Sequence, residues 1–296
     1  MSAHSPTRNL THRQVTGYVA GMAEERPLDR QLVAREEGGV LWLTLDRPEA
    51  ANAITPDQRN RLIDLLASAG ERVEVRAVVI TATGRHFCTG ADLRASQGEP
   101  ERPEGAPEKV VGDVQRMLRQ GAQRLMAAIL DCEKPVIAAV NGTAAGIGAH
   151  IALACDLVLA ADGARFIEVF ARRGLVPDGG GAYLLPRRIG LQKAKELMFF
   201  GDDVPAAEAE RLGLVNRVVP ADELPAVAAE WAGRLATGPT RSIGLTKALL
   251  NRSLESDRAT AFHDEAIAQE LNMTTHDANE GVAAFVERRD PTYVGW

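Results

Sequence analysis

The stretch Val136–Ile151, VIAAVNGTAAGIGAHI, is the most informative part of this 296-residue sequence. Its apolar start predicts a buried strand, the small residues from Asn141 to Gly148 predict a tight turn, and a helix is expected to follow to about Ala154. Glycine and alanine let a ligand approach the backbone, and the free N–H groups of a helix's first turn favour negative charge. The segment is therefore expected to bind a phosphate or a developing oxyanion, or to be a structural turn only.

Strand and helix patterns alternate on both sides of this stretch. Short β-branched runs at 40–45, 77–81 and 157–160 predict strands, while a segment capped by Thr55 and another at about 109–130 predict helices. The folded body is expected to begin near Gly39. Beyond Pro186 the pattern is helical near 191–200, 205–212, 222–236, 240–254, 257–274 and 277–289, with one strand at 215–219. We predict an α/β fold with an N-terminal extension (1–35), an α/β core (36–200) and a helical C-terminal region (201–296).

Composition excludes several classes of function. The chain has 34 Lys and Arg against 40 Asp and Glu, a net charge of -6 and no basic run, so nucleic acid is not an expected partner. The longest apolar stretch, 136–161, contains Asn141, His150 and Asp156, so no membrane span is expected.

Three separated cysteines, Cys88, Cys132 and Cys155, fit buried thiols in a reducing compartment rather than disulfides or a zinc site, and cytoplasm is predicted. The first 23 residues carry Arg8 and Arg13 and no acid, which is similar to a transit peptide or belongs to a packed or dispensable extension. A proline- and glutamate-rich stretch at 95–108 predicts a mobile surface loop.

A second glycine cluster, 174–181 (GLVPDGGG), places Asp178 in a turn before a predicted helix. Taken alone, this carboxylate is expected to cap the helix. The run Gly146-x-Gly148-x-x-Ile151 approaches a dinucleotide fingerprint but lacks its third glycine. Serine-nucleophile elbows, Walker loops, HExxH pairs and CxxC pairs are absent from the sequence, which leaves oxyanion chemistry.

Several segments, in order from residue 45 to residue 291, resemble the enoyl-CoA hydratase/isomerase (crotonase) superfamily. The matching segments are LDRP at 45–48, FCTGADL at 87–93, KPVIAAVNG at 134–142, ACD at 154–156, GLVPDGG at 174–180, GLVN at 213–216 and the ending at 280–291. The segment at 176–180 is also similar to 1,2-epoxyphenylacetyl-CoA isomerases. The resemblance implies a spiral of ββα turns and a helical C-terminal region that builds trimers or hexamers (dimers of trimers). It also implies an acyl-CoA thioester substrate, with no separate cofactor and no metal.

The resemblance implies that two backbone N–H groups, those of Ala91 and Ile147, hold the thioester oxygen as an enolate forms. Most relatives carry glycine at the second position, but isoleucine keeps its N–H donor if its φ is negative. The two glutamates of the hydratases correspond here to His150 and Phe170, neither of which is a carboxylate. Glu168 could replace one of them only through a register shift.

Asp178 matches the catalytic carboxylate of several isomerases in this superfamily, so the resemblance implies that it is the base. His150 is a competing base or a core histidine. Coenzyme A is expected near Thr89, Ala91, Leu93, Arg94 and Arg288, unless these arginines are only part of a solvated surface.

We therefore expect an enoyl-CoA isomerase that acts through Asp178. Three alternatives remain open. The chain could be an enoyl-CoA hydratase, a catalytically silent acyl-CoA-binding protein, or a nucleotide-binding oxidoreductase.

Overall fold

The structure of this chain is a computed structural model that describes residues 27–94 and 102–296. The stretch similar to a transit peptide and the first part of the predicted 95–108 loop lie outside the described residues. The strands are β1 (Leu32–Glu37), β2 (Val40–Leu45), β3 (Ala77–Ala82), β4 (His86–Cys88), β5 (Val136–Val140), β6 (Thr143–Ala145), β7 (Leu157–Ala161), β8 (Arg165–Ile167), β9 (Asp203–Pro205) and β10 (Arg217–Val219).

The helices follow the predicted order, apart from the first one, which was not predicted, and a break in the helix expected at 109–130. They are α1 (Leu28–Gln31), α2 (Pro56–Glu71), α3 (Asp113–Gln120), α4 (Ala122–Leu130), α5 (Ile147–Ala154), α6 (Gly181–Ile189), α7 (Leu191–Phe200), α8 (Ala206–Leu212), α9 (Leu224–Ala236), α10 (Thr240–Ser253), α11 (Arg258–Asn272) and α12 (His276–Glu287). All six predicted C-terminal helices are present, with ends that differ by at most two residues.

Two sheets share the strands. The larger has the order β1-β2-β3-β5-β7-β10, parallel except for the β1–β2 pair, and the smaller has the order β4-β6-β8-β9. Successive units add one strand to each sheet and then a helix: β3, β4 and α3–α4; β5, β6 and α5; β7, β8 and α6. This repeat is the expected spiral of ββα turns. Strands β3 and β5 are almost wholly buried and apolar, as expected for parallel strands covered on both faces.

Sequence reasoning missed several strands at the edges. Helix α1 and strand β1 both precede the start expected near Gly39, and β1 pairs antiparallel with β2. Strand β9 pairs with β8, although no strand was predicted at 203–205. Strand β1 is exposed at five of its six residues and β9 has three residues, so neither carries a strong hydrophobic pattern.

The helix predicted at 109–130 is broken at Gly121. This residue has φ -105° and ψ -99°, and it separates α3 from α4. A β-carbon on Gly121 would lie 2.6 Å from both the Met117 carbonyl oxygen and an Arg59 guanidinium nitrogen. The Arg59 side chain could move aside, so the fixed obstacle is the Met117 carbonyl of α3, which leaves no room for a side chain at this bend.

None of the helices within residues 27–94 and 102–296 is long and apolar enough to cross a membrane. All three cysteines are buried free thiols, as predicted.

Candidate active site

The candidate site lies where three parallel strands of the smaller sheet end. Strand β4 pairs in parallel with β6, and β6 pairs in parallel with β8. The carboxyl ends of these strands therefore meet at one edge. The segments that follow them carry Gly90–Ala91, Gly146–Ile147 and Val169–Phe170, which all line the same cavity.

The backbone N–H groups of Ala91 and Ile147 are at this edge, and neither has a hydrogen-bond partner among the described residues. Ala91 forms a parallel bridge with Ile54 in which the flanking residues, Gly90 and Asp92, make the hydrogen bonds. The N–H of Ala91 consequently points away from that partner. Ile147 is the first residue of α5, where an N–H has no partner within the helix.

Ile147 does not have a positive φ, so the larger side chain leaves a normal helical N–H in place of the glycine expected there. The preceding Gly146, with φ 53° and ψ -125°, makes the turn from β6 into α5 in a conformation that favours glycine. Both amides and the N-terminal dipole of α5 can stabilise a negative oxygen.

A buried ion pair holds the loop that carries Ala91. The Arg47 guanidinium donates to Asp92 at 3.1 Å, and these side chains are only 12% and 6% exposed. Burial opposes ionisation of Asp92, but the Arg94 amide and the Arg47 guanidinium outweigh it and hold its pKa below the usual value. This ion pair joins the segments 45–48 and 87–93, and it positions the loop that contains Ala91.

The cavity in front of these amides has a volume of about 260 Å³. It is mainly apolar, and its lining residues are Ile54, Thr55, Pro56, Arg59, Gly90, Ala91, Leu93, Met117, Leu118, Ala122, Gly146, Ile147, Val169, Phe170, Arg173, Leu175 and Asp178. Among the described lining residues, Asp178 is the only carboxylate. An apolar cleft with few converging polar groups is typical of a small-molecule site.

Asp178 does not cap the following helix. Gly180 is the N-cap of α6 and no side chain caps it, while Asp178 contributes only its backbone carbonyl, which accepts from the Gly181 N–H at 3.2 Å. The carboxylate has no hydrogen-bond partner among the described residues. Burial raises its pKa, a protonated His150 would lower it, and the charge of Glu168 raises it further. A free, partly buried carboxylate with a raised pKa is suited to proton transfer.

His150 lies behind the cavity wall and not in it. Its side chain is fully buried, its Nε2 lies 3.1 Å from a carboxylate oxygen of Glu168, and its ring stacks on Phe170 at 5.4 Å. Glu168 follows β8 and faces this ring, while Phe170 lines the cavity. The register shift that would bring Glu168 to the cavity is therefore absent.

Only some of the residues predicted to hold coenzyme A line the cavity. Leu93 is exposed and lines the cavity together with Ala91. Thr89 donates to the Ala51 carbonyl, and Arg94 extends into solvent beside Asp92, so both lie next to the lining without forming it. Arg288 is the left-handed C-cap of α12 and does not contribute to the cavity.

Sequence reasoning missed the arginines of the cavity. Arg59 lies one helical turn after Thr55, and both line the cavity from α2, while Arg173 lines it from the 3-10 turn Ala171–Arg173. The i, i+4 spacing from the recognised cap was the available signal for Arg59. The ion pair of His150 with Glu168 gave no such signal, because the two residues are eighteen positions apart.

Across the described ranges, no three His, Cys, Asp or Glu side chains gather in a way suited to a metal ion.

Comparison with known proteins places this geometry in a family. Residues 35–295 match the family model for enoyl-CoA hydratase/isomerase. The chain is 38% identical to a protein of Rhodobacter capsulatus named "Probable enoyl-CoA hydratase", over 87% of this chain and 95% of that protein. It is 35% identical to the 1,2-epoxyphenylacetyl-CoA isomerase of Escherichia coli, over 89% of this chain and 98% of that enzyme.

A crystal structure of an enoyl-CoA hydratase from Mycobacterium smegmatis superposes with a TM-score of 0.80 at 34% identity, covering 90% of this chain and 99% of that one. The likeness thus extends over both sheets and the helical C-terminal region.

Proposed function

The chain belongs to the enoyl-CoA hydratase/isomerase family, and from that premise we propose that it moves a double bond in an enoyl-CoA thioester, with Asp178 as the base. One observation carries the proposal. Of the described residues that line the cavity, Asp178 alone is a carboxylate. The sequence resemblance also implies that Phe170, another lining residue, corresponds to the second glutamate of the hydratases. Phenylalanine cannot exchange a proton, which argues against hydration by a pair of carboxylates.

The proposed reaction needs one base that works twice. The Asp178 carboxylate takes a proton from C2 of a 3-enoyl-CoA, and the electron pair moves onto the thioester oxygen. The N–H groups of Ala91 and Ile147 hold that oxygen in the resulting dienolate. The acid form of Asp178 then returns the proton to C4, the carbonyl re-forms, and the double bond lies between C2 and C3.

The raised pKa of Asp178 suits both steps. A carboxylate of higher pKa is a stronger base toward C2, and its acid form remains protonated long enough to reach C4. The apolar lining, including Phe170 and Ile147, keeps water from competing for the dienolate.

For coenzyme A we propose the exposed side of the same loop. Ala91 and Leu93 line the mouth of the cavity, Thr89 and Arg94 lie beside them, and Arg94 is 84% exposed and positioned to meet a phosphate. Arg288 fits this proposal only if it meets the phosphates from outside the cavity.

We also propose that the chain assembles as a trimer or a hexamer through its C-terminal helices. None of the residues of α11 is buried. Phe262 and Phe285 are 62% and 85% exposed, an unusual loss of apolar burial for a chain that remains monomeric. Light scattering tests this: Phe285→Asp is expected to reduce the mass to that of a smaller species, and a monomeric native chain would refute the assembly.

The test of the reaction follows 3-enoyl-CoA and 2-enoyl-CoA thioesters, short-chain and aromatic, by absorbance and by mass. The native chain is compared with Asp178→Asn and with Asp202→Asn, a control whose side chain is 79% exposed. We expect the native chain and the control to convert a 3-enoyl substrate without a change in mass, and Asp178→Asn to lose at least about a hundredfold in rate.

Hydration is the second candidate, since relatives carry that name. A gain of one water by 2-enoyl-CoA that persists in Asp178→Asn would refute the isomerase proposal and favour a hydratase.

A further inference from the structure

The fully buried His150 has one ring nitrogen engaged and one free. Nε2 lies 3.1 Å from a carboxylate oxygen of Glu168, whose side chain is only 6% exposed. Nδ1 is also buried, and it has no hydrogen-bond partner among the described residues. A buried polar atom without a partner is uncommon and calls for a functional or structural reason.

The hydrogen bonds define the form of the imidazole. An ionised Glu168 accepts a hydrogen bond, so Nε2 must carry the proton. No described acceptor lies within hydrogen-bond distance of Nδ1, so protonating it would leave a buried cation with an unsatisfied N–H, which is more costly than a bare lone pair. His150 is therefore a neutral imidazole with its proton on Nε2, and Nδ1 is an unused acceptor.

This acceptor faces the turn that carries Asp178. A β-carbon built on Gly179, the next residue, would stand 3.4 Å from Nδ1 and 3.7 Å from the side chain of Ile147. Nδ1 thus lies directly behind the cavity wall formed by Ile147, Phe170 and Asp178.

Two titratable groups are placed against the ring. The strand segment after β8 contributes Glu168, and the 174–181 segment contributes Asp178. Helix α4 presents Ala122 to the same turn, and α6 presents Gly181, whose added β-carbon would clash with the ring. Neither of these is titratable.

We propose that the Glu168–His150 pair positions the proton of Asp178: it presents a bare Nδ1 to the Asp178 turn and stabilises the acid form of Asp178 between the two proton transfers. Neither Nδ1 nor the Asp178 carboxylate has a direct hydrogen-bond partner among the described residues, so the contact runs through one bridging water. Glu168 and His150 are positioning residues, because neither lines the cavity. The inference rests on the proposed function, since it assumes that Asp178 carries the proton from C2 to C4.

The Glu168–His150 pair affects the protonation of Asp178 and not the binding of substrate. Glu168 fixes the tautomer, as a carboxylate does for a catalytic or metal-binding histidine. With Nδ1 bare, the acid form of Asp178 gains an acceptor while its ionised form faces a lone pair. Both effects favour the protonated carboxyl group.

The experiment compares the native chain with the isosteric variant Glu168→Gln and the matched control Glu196→Gln, whose side chain is 52% exposed on α7. Glu168→Gln removes a negative charge and permits the other tautomer, and both changes favour ionised Asp178. We expect the acidic limb of the kcat/KM profile for 3-enoyl-CoA to move to lower pH by about half a unit or more, about threefold in the protonation equilibrium. The control is expected to leave the limb where it is.

A second measurement needs no variant and so survives if Glu168→Gln does not fold. In ¹⁵N-histidine-labelled native protein, the chemical shifts of the His150 ring are expected to show a protonated Nε2 and a bare Nδ1. A protonated Nδ1 would overturn the inference.

The two proposals fail in different ways. If Asp178→Asn is inactive but the limb of Glu168→Gln does not move, or moves to higher pH, the positioning role is overturned and the isomerase proposal stands. If isomerisation persists in Asp178→Asn, both are overturned.

Discussion

Replacing Gly148 by alanine tests how closely α5 and β4 must approach to align the two amide donors. A β-carbon at residue 148 would stand 2.7 Å from the carbonyl carbon and 2.8 Å from the Cβ of Cys88, and closer still to its carbonyl oxygen. Ordinary carbon contacts are about 3.5–4.0 Å, so α5 and β4 would have to separate by about 1 Å. Because Cys88 is three residues before Ala91, the separation also moves the Ala91 N–H relative to Ile147.

The expected losses follow from that displacement. Overpacking a rigid core contact costs about 1–3 kcal/mol of unfolding free energy, which predicts a fall in Tm of about 2–10 °C. A shift of about 1 Å at an oxyanion donor predicts a fall in kcat of about a hundredfold. Differential scanning calorimetry and turnover of a 3-enoyl-CoA measure the two quantities on the same preparation.

Gly233→Ala is the matched control, since Gly233 lies inside α9 and nothing would touch its β-carbon within 4 Å. It is expected to leave kcat unchanged and to stabilise the chain by up to about 1 kcal/mol, because alanine favours the helix. A Gly148→Ala variant with native Tm and native kcat would refute the argument that this contact sets the donor geometry.

Three further predictions concern stability and reactivity. Lys247→Met removes an ammonium group 2.8 Å from the largely buried Asp156 and should lower the free energy of unfolding in urea by about 3–5 kcal/mol. Adding Asp156→Asn should restore most of that free energy, and no recovery would contradict the ion pair. Burial raises the pKa of Asp178, so its ionisation lowers the stability of the fold as pH rises through the folded-state pKa. The Tm of Asp178→Asn should therefore exceed that of the native chain at pH 7, and the difference should disappear below about pH 4, where the carboxyl group is protonated in both folded and unfolded chains. Burial raises the pKa of Cys88 to about 11, and all three thiols should resist a disulfide reagent at pH 8 until the chain is denatured; rapid labelling of native protein would contradict their burial.

Local signals were sufficient for much of the fold. Thr55 accepts from the Gln58 N–H at 3.2 Å and begins α2 as the capping pattern predicted. The strand–turn–helix reading of 136–151 is confirmed, although the turn also contains the short strand β6. These elements depend on side chains within a few residues of one another, which is information a linear pattern holds.

The short strands could not be predicted in the same way. Strands β4, β6, β8 and β9 have three residues each, too few for a period to be seen. They exist because their backbones pair with segments far away in the chain. Their pairing nevertheless decides which loops meet at the cavity.

By itself, the sequence determined the class of the fold, the order of its elements and the residue types at the oxyanion loops, since these follow from local patterning and from motif resemblance. Only the tertiary structure decided that Asp178 stands free instead of capping α6, and that His150 faces Glu168 behind the cavity wall. Both outcomes depend on the direction in which a side chain points after strands distant in sequence have paired. That choice is made by packing in three dimensions, which no local pattern encodes.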